Sequence, residues 1–352
     1  MEFSYKFPAV QGLQAGKQYF ITMIPLKYLV RILPEPGEYL PPEFRAQRRI
    51  NEQRIPGMKN YILDNRENYI FSSLTASIDG VFSFEEYNGT DIGFLSISMD
   101  ARILLNDGQH RRAAIAQALL EDDTLGDETI SVVFFEDRGL EKSQQMFTDL
   151  NMNAQKSSNS INTCYEMRNP LAVLTKNVVA NNYFLNKYTD LEKDNLGKNS
   201  AKLFTLYTIY RVNKKILKDE SLVSENDKKF ISEFWDLLVE NISEWNEMDQ
   251  KQLSKRQLRE DYVVTLGVLL LSFSRIGIWF YESKRSSMEK YMTKLKNVDW
   301  TRSNPNWYNR ILRDNGKVVN NENAIILAGN YLKKCLGIEL SAEEEKREKT
   351  IG

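Results

Sequence analysis

The spacing of hydrophobic residues changes about halfway along the chain. Before about residue 160, strand-like runs such as residues 94–99 and 130–135 are interspersed with short helical periods. Beyond that point, apolar residues recur at helical spacing over longer segments, as in residues 170–182. The pattern predicts an α+β domain over residues 1–160, followed by an all-α domain over residues 161–340.

Turn signals mark the connections in the first half. Asp79 and Gly80 separate two β-rich runs, residues 69–71 and 81–84, and this arrangement predicts a hairpin. A small polar stretch, residues 157–160, predicts the linker between the two domains. Glu and Lys dominate residues 341–352, so we expect a disordered, charged tail.

The only histidine of the chain lies at a predicted strand-to-helix turn, between a strand at residues 101–105 and a helix at residues 112–120. The turn and the start of the helix contain Asp107, Gly108, Gln109, His110, Arg111 and Arg112. Free backbone N–H groups and the helix dipole favour anions at such a place. The dipole disfavours the two arginines, and a bound anion would offset that cost. We therefore predict a phosphate site; the alternative is that Asp107 or a distant carboxylate pairs with the arginines.

Composition limits the classes of function. The 47 Lys and Arg against 48 Asp and Glu give a net charge of −1, so any basic surface for nucleic acid must be local. The two cysteines, Cys164 and Cys335, are far apart, and no His/Cys cluster suits zinc or iron. No flavin is expected. The sequence has no signal-peptide or membrane-span pattern, which favours a cytoplasmic location without membrane contact.

Local basic stretches are candidates for contact with a DNA backbone. The residues selected are Arg48, Arg49, Lys255, Arg256, Arg259, Lys294, Arg302 and Arg310. Trp300 and Trp307 lie among the later ones, and basic residues interleaved with aromatics suit phosphates and bases. The alternative is an ordinary solvated helix face with its tryptophans in the core.

The turn also carries a family resemblance. The run Asp-Gly-Gln-His-Arg at residues 107–111 is the name-giving motif of the DGQHR-domain proteins. The surrounding pattern, including residues 147–153 and 195–206, resembles DndB, the DGQHR family of bacterial DNA phosphorothioation clusters. The resemblance covers nearly the whole chain. More distantly, the first domain resembles ParB-like and sulfiredoxin-like domains. Gln109 stands where sulfiredoxins have a cysteine, so sulfur chemistry by a thiolate at this residue is excluded.

The resemblance implies a DNA-binding transcriptional regulator of its own modification gene cluster. Its partners would be the promoter DNA and other DNA-modification proteins. Whether the protein forms a homo-oligomer is left open. The candidate ligand of the turn is ATP or another nucleotide, with Mg²⁺ as the candidate ion, and Asn153 would join the site. The alternative function is a nucleotide hydrolase or DNA-nicking enzyme, in which Asp107 or His110 activates water.

Overall fold

The computed structural model divides the chain into two compact units, which we call the sheet unit, residues 1–155, and the helical unit, residues 156–352. The structure describes residues 3–33, 51–136, 145, 157–197 and 199–350. The first unit contains a sheet and the second is mostly helical. The predicted α+β class is therefore confirmed, whereas the likeness to ParB-like and sulfiredoxin-like domains stays a prediction.

One mixed sheet forms the centre of the sheet unit. Its strands are β1 Ser4–Gln14, β2 Lys17–Pro25, β3 Leu74–Asp79, β4 Phe82–Glu86, β5 Ile92–Ser98, β6 Arg102–Asp107 and β7 Thr129–Glu136. They lie in the order β4-β5-β1-β2-β7-β3-β6. Only β3 and β7 pair in parallel; the other neighbours are antiparallel.

The hairpin predicted across Asp79 and Gly80 is wrong. Residues 69–71 form no strand; β3 begins at Leu74 and pairs with β6 and β7, whereas β4 pairs with β5. A turn signal shows that the chain reverses, but it does not show which strand becomes the neighbour. Because β3 pairs with β6, the end of β6 lies beside β3. The predicted anion turn begins at this end of β6.

Three helices complete the described core of the sheet unit: α1 Leu26–Ile32, α2 Ile55–Asp64 and α3 Gln109–Glu121. Helix α3 packs against both α1 and α2. Their buried residues, among them Leu29, Ile62 and Ile115, join Leu74 and Val132 of the sheet in one hydrophobic cluster. Burial of this kind contributes about 25 cal/mol per Å² of apolar surface, and it holds α3 in this cluster.

The helical unit has its own core. Its helices are α4 Asn159–Tyr165, α5 Pro170–Asn181, α6 Tyr183–Tyr188, α7 Leu206–Leu217, α8 Glu225–Asn241, α9 Ser243–Asp249, α10 Lys255–Asp261, α11 Gly267–Trp279, α12 Met288–Met292, α13 Glu322–Leu336 and α14 Ala342–Glu348. A two-residue parallel pair, β8 Thr189–Asp190 and β9 Phe204–Thr205, precedes α7. The apolar α11 packs between α7 and α13, and Trp235, Trp245, Trp300 and Trp307 are fully buried.

The apolar spacing of residues 253–282 predicts a continuous helix, but the structure interrupts it. Helix α10 begins with a capping box between Ser254 and Gln257, and α11 begins only at Gly267. Between them, Val263 donates its backbone N–H to the carbonyl of Trp300 at 2.9 Å. Because of this break, α10, the start of α11 and the segment around residue 302 meet at one place in the helical unit.

Residues 342–348 of the charged tail are helical, contrary to our expectation of disorder. Residues Ala342–Glu348 form α14, which Ser341 and Glu344 cap at its start. Glu344 is buried and accepts hydrogen bonds from Lys333 at 2.6 Å and Arg275 at 2.7 Å. Composition favoured solvation, but these cations on α13 and α11 give the buried carboxylate its partners.

Two further expectations remain. The apolar spacing of residues 140–150 predicts a helix, but this segment lies outside the described residues, apart from Gln145. No helix in the described part of the chain combines the length and the apolar character needed to cross a bilayer.

Candidate functional site

The motif turn joins β6 to α3 and is built around Gly108. This glycine has φ +103°, a backbone region that side chains disfavour. A Cβ atom at this position would lie 2.2 Å from Cδ2 of Leu74 on β3. Gly108 therefore lets the start of α3 approach the sheet closely. Because α3 begins at Gln109, His110 and Arg111 are already part of the helix, three residues earlier than predicted.

Arg111 is held by groups of the sheet unit itself. Its guanidinium donates to Asp107 Oδ2 at 2.6 Å, one helical turn back, and to the carbonyl oxygens of Ser72 at 2.6 Å and Ser73 at 2.9 Å. The Arg111 side chain is only 14% exposed. Asp107 thus provides the carboxylate that the alternative interpretation expected, so the cost of a cation in the first turn is offset internally.

Arg112 is buried and turned towards the end of α1. Its Nε donates to the carbonyl oxygen of Leu33, and its terminal nitrogen donates to that of Val30, both at 2.9 Å. Helix C-termini leave carbonyl groups without intrahelical partners and favour cations. The second arginine therefore fastens α1 to α3.

The middle residues of the motif also have internal partners. The Gln109 amide is buried and donates to the carbonyls of Leu105 at 2.8 Å and Asn106 at 3.3 Å. The His110 Nε2 accepts the backbone N–H of Asn51 at 2.9 Å. In this contact Nε2 is an acceptor, so it is not at the same time a donor to phosphate.

The anion site at the turn stays a prediction. The described contacts of its side chains are internal ones, which hold parts of the sheet unit together. Asp107 binds Arg111, while Arg112 and Gln109 are buried. Asn153, Arg48 and Arg49 lie outside the described residues. ATP and Mg²⁺ likewise stay predictions.

Several predicted DNA contacts have internal roles as well. Arg310 is 10% exposed and pairs with Glu348 at 2.7 Å. Lys294 donates to the carbonyl of Leu336 at 2.7 Å, at the end of α13. Trp300 and Trp307 stack on each other inside the core. These two tryptophans therefore cannot stack on bases, which agrees with the alternative interpretation. Lys255 lies over the Tyr188 ring at 5.1 Å.

The remaining predicted contacts meet at one cavity of the helical unit, of about 750 Å³. Four arginines line it: Arg211 of α7, Arg256 and Arg259 of α10, and Arg302. We call this cavity the arginine pocket. Its walls also include Asp194, Tyr207 and the residues at the starts of α7 and α11.

Backbone carbonyl groups hold two of these arginines in place. Arg259 donates to the carbonyl oxygens of Ser200, at 2.8 Å, and Lys202. Arg302 donates to those of Tyr262 at 3.2 Å and Arg259 at 2.8 Å. Burial lowers the pKa of both guanidiniums below the ordinary value. Both remain charged, because arginine loses its proton only at very high pH.

The pocket has fewer carboxylates than guanidiniums. Glu260 pairs with Arg256 at 3.1 Å, and both side chains are largely exposed. Burial raises the pKa of Asp194, but hydrogen bonds from Asn159 and Ser160 more than compensate, so the pKa lies below its usual range. Among the described residues, the lining thus contains four arginines and two carboxylate residues, a net positive charge.

Sequence reasoning missed part of this pocket. It selected Arg256, Arg259 and Arg302 individually but not Arg211, which belongs to an amphipathic helix where an arginine is unremarkable. The sequence signal for this region is the run at residues 195–206, which carries a family resemblance. This run contributes Leu203 and Thr205 to the pocket wall.

Comparison with known proteins gives one positive result. No curated protein and no solved structure matches the chain. A family model described as DndB, DNA-sulfur modification-associated, matches residues 7–339. This match spans nearly the whole length of the sequence, and the chain belongs to the DndB family of proteins associated with DNA sulfur modification.

Proposed function

We propose that this protein is a DNA-binding regulator of a bacterial DNA phosphorothioate-modification gene cluster, and that it contacts DNA phosphates at the arginine pocket. Membership of the DndB family supports a role in DNA sulfur modification. Regulation of the cluster's own promoter, docking to other modification proteins and self-association are finer parts of the proposal.

The observation that carries the proposal is the convergence of arginines on one electropositive cavity. The chain as a whole has no basic field, since its net charge is −1. Arg211, Arg256, Arg259 and Arg302 nevertheless meet at the same pocket. In a protein of a DNA-modification system, a local positive site of this kind suits the phosphate groups of DNA.

The test is binding of a promoter fragment from the modification gene cluster. We expect the double variant Arg211→Ala/Arg256→Ala to lose about tenfold in affinity or more, because two phosphate contacts are removed. Arg313→Ala is the matched control, since Arg313 is exposed and outside the pocket lining. In cells, the same double variant should derepress a reporter driven by that promoter. Equal affinity and equal repression for the wild type and the double variant would contradict the proposal.

The enzymatic alternative assigns the base to Asp107 or His110, and each of them already has a hydrogen-bond partner in the sheet unit. A base that activates water needs an accessible lone pair near its substrate. Asp107 is bound by Arg111, and the His110 Nε2 accepts from Asn51. ATP turnover with and without Mg²⁺ would test it directly.

A further inference from the structure

The arginine pocket is more specialised than a basic surface patch. Proteins contact the backbone of duplex DNA with exposed side chains and need no cavity to do so. Here the positive groups line a recess of about 750 Å³, a volume typical of small-molecule sites. Two of its arginines, Arg259 and Arg302, are partly buried in the wall.

Two helices begin at this recess. Tyr207 and Thr208 of the first turn of α7 line the pocket with the cap residue Thr205, and so do Gly267 of α11 and its cap residue Leu266. The start of α11 has no side-chain cap, and Gly267 is exposed. Helix N-termini present backbone N–H groups and a partial positive charge, which favour a phosphate group. At α7 these groups already have partners, because Tyr207 donates its backbone N–H to Ser160 Oγ and Thr208 donates its own to Thr205 Oγ1. Of the two starts, it is therefore that of α11 that acts in the same direction as the arginines.

The arginines of the wall are oriented before any ligand arrives. Arg302 is held by the carbonyl oxygens of Tyr262 and Arg259, and Arg256 by an exposed pair with Glu260. Exposed pairs of this kind contribute little to stability, so Arg256 exchanges Glu260 for a stronger anion at small cost. A phosphate with two or three oxygens would accept charge-assisted hydrogen bonds from such a cluster.

The pocket also offers an aromatic and apolar surface. The half-buried ring of Tyr207 lines it, with the Arg211 guanidinium 6.0 Å from the ring centroid. Leu203, Phe204 and Leu270 lie behind it as buried apolar backing, each at most 3% exposed. Inorganic phosphate needs no such surface, whereas a nucleobase stacks on tyrosine and on the plane of a guanidinium.

We propose that the arginine pocket accommodates one nucleotide, with its phosphate at Arg211, Arg302 and the start of α11, and its base against Tyr207. This inference deepens the proposed function and rests on it only for the statement that the nucleotide belongs to DNA. The shared chemistry is a phosphate ester carrying an unstacked base. Its source is either an unpaired nucleotide of a DNA strand or a free mononucleotide.

The experiment measures binding to the full chain by calorimetry. The probes are thymidine 5′-monophosphate, thymidine, inorganic phosphate, a ten-nucleotide oligothymidine and the duplex promoter fragment. We expect thymidine 5′-monophosphate to bind more tightly than thymidine or phosphate alone. Tighter binding of the oligothymidine identifies the strand as the source, and tighter binding of the mononucleotide identifies the free nucleotide.

Variants locate the binding. Arg211→Ala should weaken binding of thymidine 5′-monophosphate about tenfold or more. Tyr207→Leu should weaken it roughly fivefold, while Tyr207→Phe, which keeps the ring, should weaken it much less. Gly267→Asp should bind more weakly than the isosteric Gly267→Asn, because a carboxylate at the helix start repels phosphate. A side chain fits at Gly267, where a Cβ atom has no neighbour within 4 Å. An acidic residue in the first turn also favours the helix, so Gly267→Asp should not lower thermal stability.

The outcomes separate the two proposals. Binding of the mononucleotide that all three weakening variants leave unchanged overturns the inference, as does the absence of binding by both mononucleotide and oligothymidine. If the promoter duplex still binds in that case, the proposed function stands alone. If the mononucleotide binds at the pocket but the duplex does not bind, the inference stands and the proposed function falls.

Discussion

The motif turn of the sheet unit and the arginine pocket of the helical unit use the same groups in opposite ways. Both combine arginines with the start of a helix. At the turn, Arg111 is satisfied by Asp107 and two carbonyl oxygens, and Arg112 is buried against the end of α1. At the pocket, guanidiniums outnumber carboxylates and surround an open volume. Proximity of arginines to a helix start is therefore not enough to identify an anion site; the partners that the N–H groups already have decide it.

The comparison also separates two uses of sequence distance. The turn is compact in sequence and holds β3, β6, α1 and α3 together. The pocket collects Arg211 and Arg302 from positions 91 residues apart. We therefore expect changes at the turn to affect stability first, and changes at the pocket to affect binding first.

The largest effect on stability should come from Gly108→Ala. The positive φ and the 2.2 Å approach to Leu74 should together cost about 3–4 kcal/mol of unfolding free energy. Gly57→Ala in α2 is the matched control, because a Cβ atom there meets nothing within 4 Å; it should be neutral or stabilising. Urea unfolding by circular dichroism measures both, and Trp fluorescence follows the helical unit separately, since all five tryptophans lie there. Equal midpoints for the two variants would contradict this account of the turn.

Arg112→Ala should be the next most damaging change. It leaves the carbonyls of Val30 and Leu33 without their charged donor inside the core, which should cost about 2–3 kcal/mol. Arg31→Ala removes the same charge from an exposed position on α1 and should cost only a few tenths of a kcal/mol. If Arg112→Ala kept full stability and lost only DNA affinity, the turn would be a binding site after all.

A third cluster calibrates what a buried, charge-paired carboxylate contributes. Burial raises the pKa of Glu344, but Lys333, the Ser341 N–H and Arg275 more than compensate and lower it to about 2. Its stabilisation is therefore complete above about pH 4.5, the ordinary value, and is lost as the pH falls towards 2. We expect a loss of roughly 2 kcal/mol across this window, measured by Trp fluorescence, and a flatter profile in Glu344→Gln. The same slope in both proteins would show that this pair contributes nothing.

The smallest effects compare two similar pairs directly. Asp107 with Arg111 and Glu260 with Arg256 are both carboxylate–arginine pairs one helical turn apart. Asp107→Ala should cost about 1 kcal/mol of unfolding free energy, because Arg111 is mostly buried. Glu260→Ala should cost about 0.3 kcal/mol, because both members of its pair are exposed. Glu260→Ala should also raise DNA affinity a few fold by freeing Arg256, whereas Asp107→Ala should not. Any reversal of these affinity changes would move the anion site back to the turn.

Local pattern was enough for several elements but not for their partners. Strand β7 and helix α5 follow directly from the spacing of apolar residues in their own segments. The pairing of β4 with β5 depends on the whole sheet order, which a turn signal does not contain. The motif itself was visible, yet the roles of its arginines depend on Ser72 and Val30, which are distant in sequence.

The pocket was harder to predict because no segment contains it. Arg256 and Arg259 stood out as a basic run, but only the break between α10 and α11 brings them to Arg302 and the helix starts. Likewise, the tail became a helix because Lys333 and Arg275 meet a carboxylate that composition assigned to solvent.

The salt dependence of DNA binding tests the central claim most directly. For duplex DNA, the slope of log affinity against log salt changes by about 0.9 for each phosphate contact. We predict that Arg211→Ala/Arg256→Ala reduces the slope by between about one and two, while Arg111→Ala, checked to be folded by circular dichroism, keeps the wild-type slope. An unchanged slope in the pocket variant together with a reduced slope in Arg111→Ala would contradict the account and place the phosphate contact at the turn.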